Sequence, residues 1–304
     1  MKVAIAGTGN VAQYLFEELR NYGHELVVLT RTGNAKPGKD FEQRETDYSV
    51  ASLVSVLNDC DTLVSTIADY SNPLVGTKIQ LAMLEACKQS KKCKSFIPSE
   101  WTCDVETYPE QPYFLGEANK TLHQGIKDVT EVRWTIICNS WFADYVVPSS
   151  QRMLRDIGEL WPMDIDKKIF TVYGPGTQVL DFTSVRDVAK AVAVLLDSKE
   201  AWEPYTFMSG DQISLNDLYD ILKRRDPAWT TKNKPLAESV KLVVDKKSAD
   251  DIMLGYFELL LYSGASKLPR EKVLVHRTKY FPLVHFRSIN ELLDVASARP
   301  GEIV

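Results

Sequence analysis

Short apolar runs alternate with longer segments of helical spacing through the first half of the chain. Val3-Ala4-Ile5-Ala6 has the length of a strand, and residues 7–10 read as a turn. Behind the turn, Val11, Tyr14, Leu15, Leu19 and Tyr22 fall on one helical face, which predicts a helix over residues 11–22. Gly23 then closes it in the left-handed C-cap manner. The same alternation recurs: a strand at 26–29, a loop at 32–39, a short helix at 53–57, a strand at 62–67, a helix at 77–87, a strand at 95–97, a helix at 119–129 and a strand at 134–138. Strands that are apolar on both faces and separated by helices predict a parallel sheet covered on both sides, a doubly wound α/β fold.

The rhythm loosens after about Pro148. Residues 168–173 read as a strand before a Gly174-Pro175-Gly176 turn, residues 184–196 as an amphipathic helix, and 205–208 as another strand. Ser214 is placed to N-cap a helix over 214–223, and the chain beyond 226 is mostly helical in pattern, clearest over 250–262. The expected division is a Rossmann core over 1–150, to which 168–210 return, and a smaller, mostly helical substrate part within 151–304. Residues 226–304 receive no functional reading from the sequence.

Composition narrows the class. The chain has 304 residues, 44% hydrophobic and 25% charged, which suits one large or two ordinary globular domains and excludes a disordered or collagen-like chain. No apolar stretch is long enough for a transmembrane helix, and the N-terminal run ends too early in glycine for a signal-peptide core. With 41 acidic against 36 basic side chains the net charge is −5, a balance that argues against nucleic-acid binding. The five cysteines lack metal-site spacing, so no metal is expected, and their odd number fits a reducing, cytoplasmic setting. Oligomeric state is left open.

The first chemical signal is Gly7-Thr8-Gly9-Asn10-Val11-Ala12, a G-x-G-x-x-A sequence between the first strand and the first helix. Gly7 permits the tight turn, Gly9 lets backbone approach a pyrophosphate, and Ala12 allows close helix–strand packing. The helix N-terminus offers free N–H groups and partial positive charge to phosphates. At the end of the second strand, where NAD-binding folds place an acid for the ribose hydroxyls, the chain has Leu29-Thr30-Arg31-Thr32. Arg31 can hold a 2′-phosphate through forked, charge-assisted bonds, with Thr32, Lys36 and Lys39 on the same loop, so NADP(H) is favoured over NAD(H).

Further segments resemble one family. Residues 47–66, the Phe96-Ile97-Pro98-Ser99-Glu100-Trp101 stretch, residues 134–145 and residues 172–189 are similar, in order and spacing, to the NmrA-like and isoflavone-reductase-like family of atypical short-chain dehydrogenases. The resemblance covers about residues 1–225. It implies NADP(H) in a cleft between a Rossmann core and a smaller C-terminal part. By position, Thr8, Asn10 and Val11 would line the pyrophosphate and Arg31 the 2′-phosphate. Ile67 and Ala68 would lie near the adenine or the central cofactor region, and Pro98, Ser99 and Glu100 would border the nicotinamide ribose. Asn139, Ser140 and Trp141 would border the nicotinamide and substrate. Trp101, Tyr113, Phe142 and Tyr145 complete an expected aromatic substrate wall, and Asp144 either meets substrate or caps a helix.

The chain departs from the ordinary dehydrogenase pattern in its proton-transfer residues. A Tyr-x-x-x-Lys pair occurs only as Tyr219 and Lys223, in the substrate part, where it reads as an ordinary helix pair. The reductases it resembles carry a catalytic lysine on the helix before the 134–138 strand. Counting back from that strand gives Lys120; aligning Leu122 with the family's apolar position gives Asn119. One residue is about 100° of helix rotation, so only one of the two can face a cofactor. Three readings stay open: Lys120 polarises the acceptor, Asn119 replaces it as a neutral donor, or the site performs no proton transfer. His123, one turn on, is a further candidate general acid. The expected activity is NADPH-dependent reduction of a C=O, C=C or C=N bond in a small apolar molecule such as a secondary metabolite. The alternatives are a cofactor-binding sensor without turnover and a non-redox cyclase or isomerase.

Overall fold

The computed structural model describes residues 1–32 and 40–304. Six parallel strands form the central sheet: β1 (Lys2–Ala6), β2 (Glu25–Thr30), β3 (Glu42–Glu45), β4 (Thr62–Ser65), β5 (Ser95–Ile97) and β6 (Arg133–Trp134). Their order is β3-β2-β1-β4-β5-β6, with Ala6 paired to Leu29 on one side and to Ser65 on the other. The order reverses between β1 and β4, so a crevice opens there beyond the carboxyl ends of the strands. The fold is the doubly wound Rossmann type.

The two faces follow from strand alternation. Val3 and Ile5 pack on one side with Tyr14, Leu15 and Leu19 of α1 (Asn10–Tyr22) and with Val188, Val192 and Leu195 of α5 (Val185–Asp197). Ala4 and Ala6 pack on the other with α2 (Val50–Val56), α3 (Pro73–Gln89) and α4 (Gly116–Ile126), through Leu53, Met83, Leu84, Cys87 and Ile126. Both sides are fully dry from Val3 to Ala6, which is why β1 shows no polar position after Lys2.

The expected 134–138 strand is broken at Thr135 into β6 and β7 (Ile136–Cys138). β7 leaves β5 and pairs with the parallel β12 (Tyr205–Phe207), and the Thr135 and Thr206 hydroxyls meet at 2.8 Å across the break. A third cluster gathers β8 (Trp141–Phe142), β9 (Met163–Asp164), β10 (Ile169–Tyr173), β11 (Val179–Thr183), β13 (Asp211–Ser214), α6 (Leu215–Arg225), α8 (Ala249–Ser263), α9 (Arg270–Tyr280) and α10 (Ile289–Ala298), while β14 (Thr230–Lys234) pairs with β10 and α7 (Leu236–Asp245) packs on α8. They form two small sheets, β14-β10-β9 and β13-β11-β8, with helices around them. The C-terminal region therefore holds more strand than its pattern announced. β14, of sequence TTKNK, has no apolar alternation and is recruited by parallel pairing with β10.

Candidate active site

The glycine loop leaves β1 at the switch point. Gly7 has φ +103°, and a Cβ built there would lie 2.7 Å from Thr66 Oγ1, so both backbone and space demand glycine. Gly9 is the N-cap of α1, no side chain caps the helix, and a Cβ on Gly9 would meet nothing within 4 Å. The start of α1 is thus open beside Gly9, with no acidic side chain in the first turn. Thr8 and Val11 are half-buried beside it. Asn10 turns its amide away from this space and donates to the Met153 carbonyl at 2.7 Å, so its side chain anchors the loop.

Arg31 and Thr32 follow β2 and are exposed. The Arg31 guanidinium lies 5.9 Å from the Tyr48 ring, whose hydroxyl donates to the Leu29 carbonyl. Burial pushes the Tyr48 hydroxyl up to about 12, with Arg31 opposing it. Asp69, in the turn after β4, is held below the usual carboxylate range chiefly by Ser71, and the charge of Arg31 adds to this. Lys36 and Lys39 lie outside the described residues.

The other strand ends close into one chain of contacts. The Trp101 indole donates to the Ser65 carbonyl at 3.2 Å, and Thr102 bridges to Cys138. The Asn139 and Ser140 amides both donate to the Thr102 carbonyl. Ser140 has φ +55°, a left-handed conformation held by its hydroxyl bond to the Ser266 carbonyl at 2.8 Å. Asn139 is fully buried, and its Oδ1 has no partner. Gln80 reaches the Ile67 carbonyl with its amide while its own oxygen is also unpartnered. Ile67 and Ser99 are half-buried, Ala68 is exposed, and Pro98 and Glu100 are buried. Buried acceptors left unpaired are uncommon and costly, and at this edge a polar ligand would satisfy them.

The aromatic wall differs from the expected set. Trp141 lies 5.7 Å from Trp161 and 6.3 Å from Phe257, Phe257 lies 5.2 Å from Phe114, and Phe114 lies 6.2 Å from Tyr70. Tyr145 stacks on Trp161 at 5.5 Å. Phe142 and Trp101 instead pack toward the α1–α5 side of the sheet, and Tyr113 is 61% exposed against Tyr256. Phe257, Trp161 and Tyr70 come from segments distant in sequence, and no local pattern links them. Asp144 is fully buried and caps α5, accepting from the Val185 amide at 2.8 Å.

The α4 candidates separate. Gly116, Ala118, Asn119, Leu122 and Ile126 form the buried face, so Asn119 points inward and Lys120, the residue reached by counting from the strand, is exposed. Asn119 donates to the Gln111 carbonyl at 3.1 Å. Lys120 and His123 line a separate cavity of about 220 Å³ at the sheet edge with Pro109, Trp134 and Tyr205. That lining includes neither the glycine loop nor residues 139–141. His123 Nε2 lies 2.8 Å from Glu100 Oε2, and the imidazole stands edge-on to Tyr205. Tyr219 and Lys223 lie far from this chemistry and brace the Trp229 carbonyl. Among the described residues no cluster of three or more His, Cys, Asp or Glu is placed to hold a metal ion.

Comparison with known proteins places the chain by family and fold. Oxidoreductase swnR of Arthroderma benhamiae is 38% identical over 309 residues, covering 100% of both chains, and its namesake in Metarhizium robertsii is 36% identical over 307 residues with the same coverage. The binary complex of leucoanthocyanidin reductase with NADPH from Vitis vinifera superposes with a TM-score of 0.77 at 18% identity, over 98% of this chain and 100% of that one. The structure "AtPrR2 with NADP+ and (+)pinoresinol" has the same TM-score at 20% identity, over 97% and 98%. Residues 2–253 match the model of the NmrA-like family, and the chain belongs to that family.

Proposed function

We propose that this protein is an NADP(H)-dependent reductase of a small, largely apolar organic molecule. One observation carries the reading. At the switch point of the sheet an uncapped helix terminus opens beside Gly9, and Arg31 follows β2 where an acid would select NAD. The orphaned Oδ1 of Asn139 and the empty volume over Gly9 both fit a dinucleotide laid across the strand ends. A relative named as an oxidoreductase and a neighbour solved with NADPH support the same reading.

In this reading the N–H groups of residues 9–11 receive the pyrophosphate, and Arg31, with Thr32 beside it, takes the 2′-phosphate. Ile67, Ala68, Pro98 and Ser99 border the cofactor, and the Asn139 amide offers its free acceptor to it. When bound, the nicotinamide supplies a hydride to the acceptor carbon. Trp141, Phe114 and Phe257 exclude water and hold the apolar part of the substrate, which supports an enzyme over a bare cofactor sensor. Asn119, on the inward face of α4, fixes the turn that carries Phe114. Glu100 and His123 brace the loop after β5, and Lys120 takes no part in proton transfer.

Titration with NADPH and NADH tests the assignment. Arg31→Ala should weaken NADPH tenfold or more, the worth of a charge-assisted pair, and leave NADH unchanged. Equal losses would sink the role of Arg31. A wild-type protein that binds neither cofactor would end the reading. NADPH oxidation with a panel of carbonyls and enones separates reductase from sensor, and Lys120→Ala should retain that turnover within about twofold.

A further inference from the structure

We propose that Arg152 is an oxyanion-binding residue of this site, receiving either a phosphate of the dinucleotide or a carboxylate of the substrate. The proposal rests on the cofactor reading above and deepens it. Arg152 ends the short turn after Pro148 and is 7% exposed. Its neighbour Met153 is clamped to the glycine-loop helix from both sides, accepting from Asn10 at 2.7 Å and donating to the Tyr14 hydroxyl at 2.9 Å. On its other side the guanidinium lies 5.3 Å from the ring of Tyr145, which stacks on Trp161 and through it reaches Trp141. Arg152 therefore sits where the glycine loop meets the aromatic wall.

Its bonding is incomplete. Nη1 donates to the Val147 carbonyl and Nη2 to the Asp156 carboxylate, whereas Nε is buried with no partner. Asp156 is largely in water, where solvent weakens its pull on a buried cation. A guanidinium stays charged in proteins, and a buried one with an open N–H is costly unless something completes it. Its planar fork matches the paired oxygens of a phosphate or carboxylate. A brace for Tyr145 alone would use the flat face of the guanidinium and leave no reason to bury an unpaired Nε.

The test compares wild type, Arg152→Gln and Arg152→Lys, each checked for an unchanged melting profile without ligand. Inorganic pyrophosphate and benzoate are added separately to the apo protein, and NADPH and 2′,5′-ADP are titrated alongside. Wild type should be stabilised by at least one of the two anions, and Arg152→Gln should lose that response. If the cofactor's nicotinamide-side phosphate is the ligand, Arg152→Gln weakens NADPH about tenfold and leaves 2′,5′-ADP, which lacks that phosphate, unchanged; if the adenosine-side phosphate is the ligand, both weaken alike with the melting profile unchanged. If the substrate's carboxylate is the ligand, NADPH is unaffected and the benzoate response alone disappears. Arg152→Lys keeps a point charge but not the fork and should fall between the two; it decides the matter if the glutamine variant does not fold. Anion responses and NADPH affinity equal across the three proteins overturn the proposal, as does a parallel loss of 2′,5′-ADP and thermal stability. A wild type that responds to anions but not to NADPH refutes the cofactor reading and leaves Arg152 as an anion site.

Discussion

Gly7 and Gly9 stand two residues apart in one motif and serve different ends. Alanine at position 7 would force a side chain into φ +103° and against Thr66, whereas alanine at position 9 meets open space. Gly7→Ala should therefore lower the melting temperature, by about 1–2 kcal/mol of stability from the backbone alone. Gly9→Ala should melt as wild type and still lose NADPH affinity, because its methyl occupies the volume a phosphate needs. Thermal melts and NADPH titration of the two variants check this; a Gly9→Ala protein with full affinity would contradict the placement of the phosphates. The turn role of Gly7 was legible in the sequence from its place in the motif, and the approach role the motif gives Gly9 is what the titration tests. The orientation of residues 119 and 120 was not legible. Counting along the chain cannot fix helical phase when one residue shifts a side chain by about 100°, and packing against α3 and the sheet turned Asn119 inward.

Elements with a strong local signal matched their expected places. α6 begins at Ser214 with a full capping box, the Ser214 hydroxyl accepting from the Asp217 amide and the Asp217 carboxylate accepting from the Ser214 amide. Ser214→Ala should cost about 1 kcal/mol, read from chemical denaturation, and Ser214→Asp should recover most of it. Loss of no stability in the alanine variant would mean the cap is replaced by water. Elements with no apolar alternation went unannounced. β3, of sequence EQRE, is an edge strand held by Lys2, Arg44 and Asp59 rather than by burial, and the pairing of Arg44 and Lys2 holds the Asp59 carboxyl well below its usual range. α4 starts at Gly116, three residues before its expected start; a Cβ at Gly116 would stand 3.0 Å from the Glu110 carbonyl, a close approach that the apolar pattern does not mark.

Across the whole molecule, two buried carboxylates join the C-terminal region to the Rossmann core. Arg287 holds Asp187 of α5 through both its Nε and its backbone amide, and Asp187 is fully buried. Arg287→Ala leaves that carboxylate, among the described residues, with its exposed neighbour Lys190 as its one charged partner, and should destabilise the protein by about 3 kcal/mol or more in denaturant melts. A loss below about 1 kcal/mol would show that the tie is not structural. Asp144 differs, because burial pushes its carboxyl up to about 6 from 3.8, only partly opposed by the Val185 amide and the charge of Arg287. Its folded value lies above its unfolded one, so between about pH 4 and 6 the folded state keeps a proton that the unfolded chain releases. The stability this supplies is complete below pH 4 and lost as pH rises through 6, on the order of 3 kcal/mol. Asp144→Asn keeps an acceptor for Val185 and removes the ionisation, so its advantage in melting temperature over wild type should widen from pH 5 to pH 8. A constant gap would count against the assignment.

The sequence by itself determined the parallel sheet, the glycine loop and the Arg31 terminus of β2, because each is written in contiguous residues: apolar runs, a G-x-G-x-x-A spacing, one side chain at a strand end. Only the tertiary structure decided which face of α4 is buried, which rings meet Trp141, and that Arg152 lies buried beside the glycine loop. Those facts depend on helical phase and on segments more than a hundred residues apart, where long-range packing sets the outcome and local spacing carries no information.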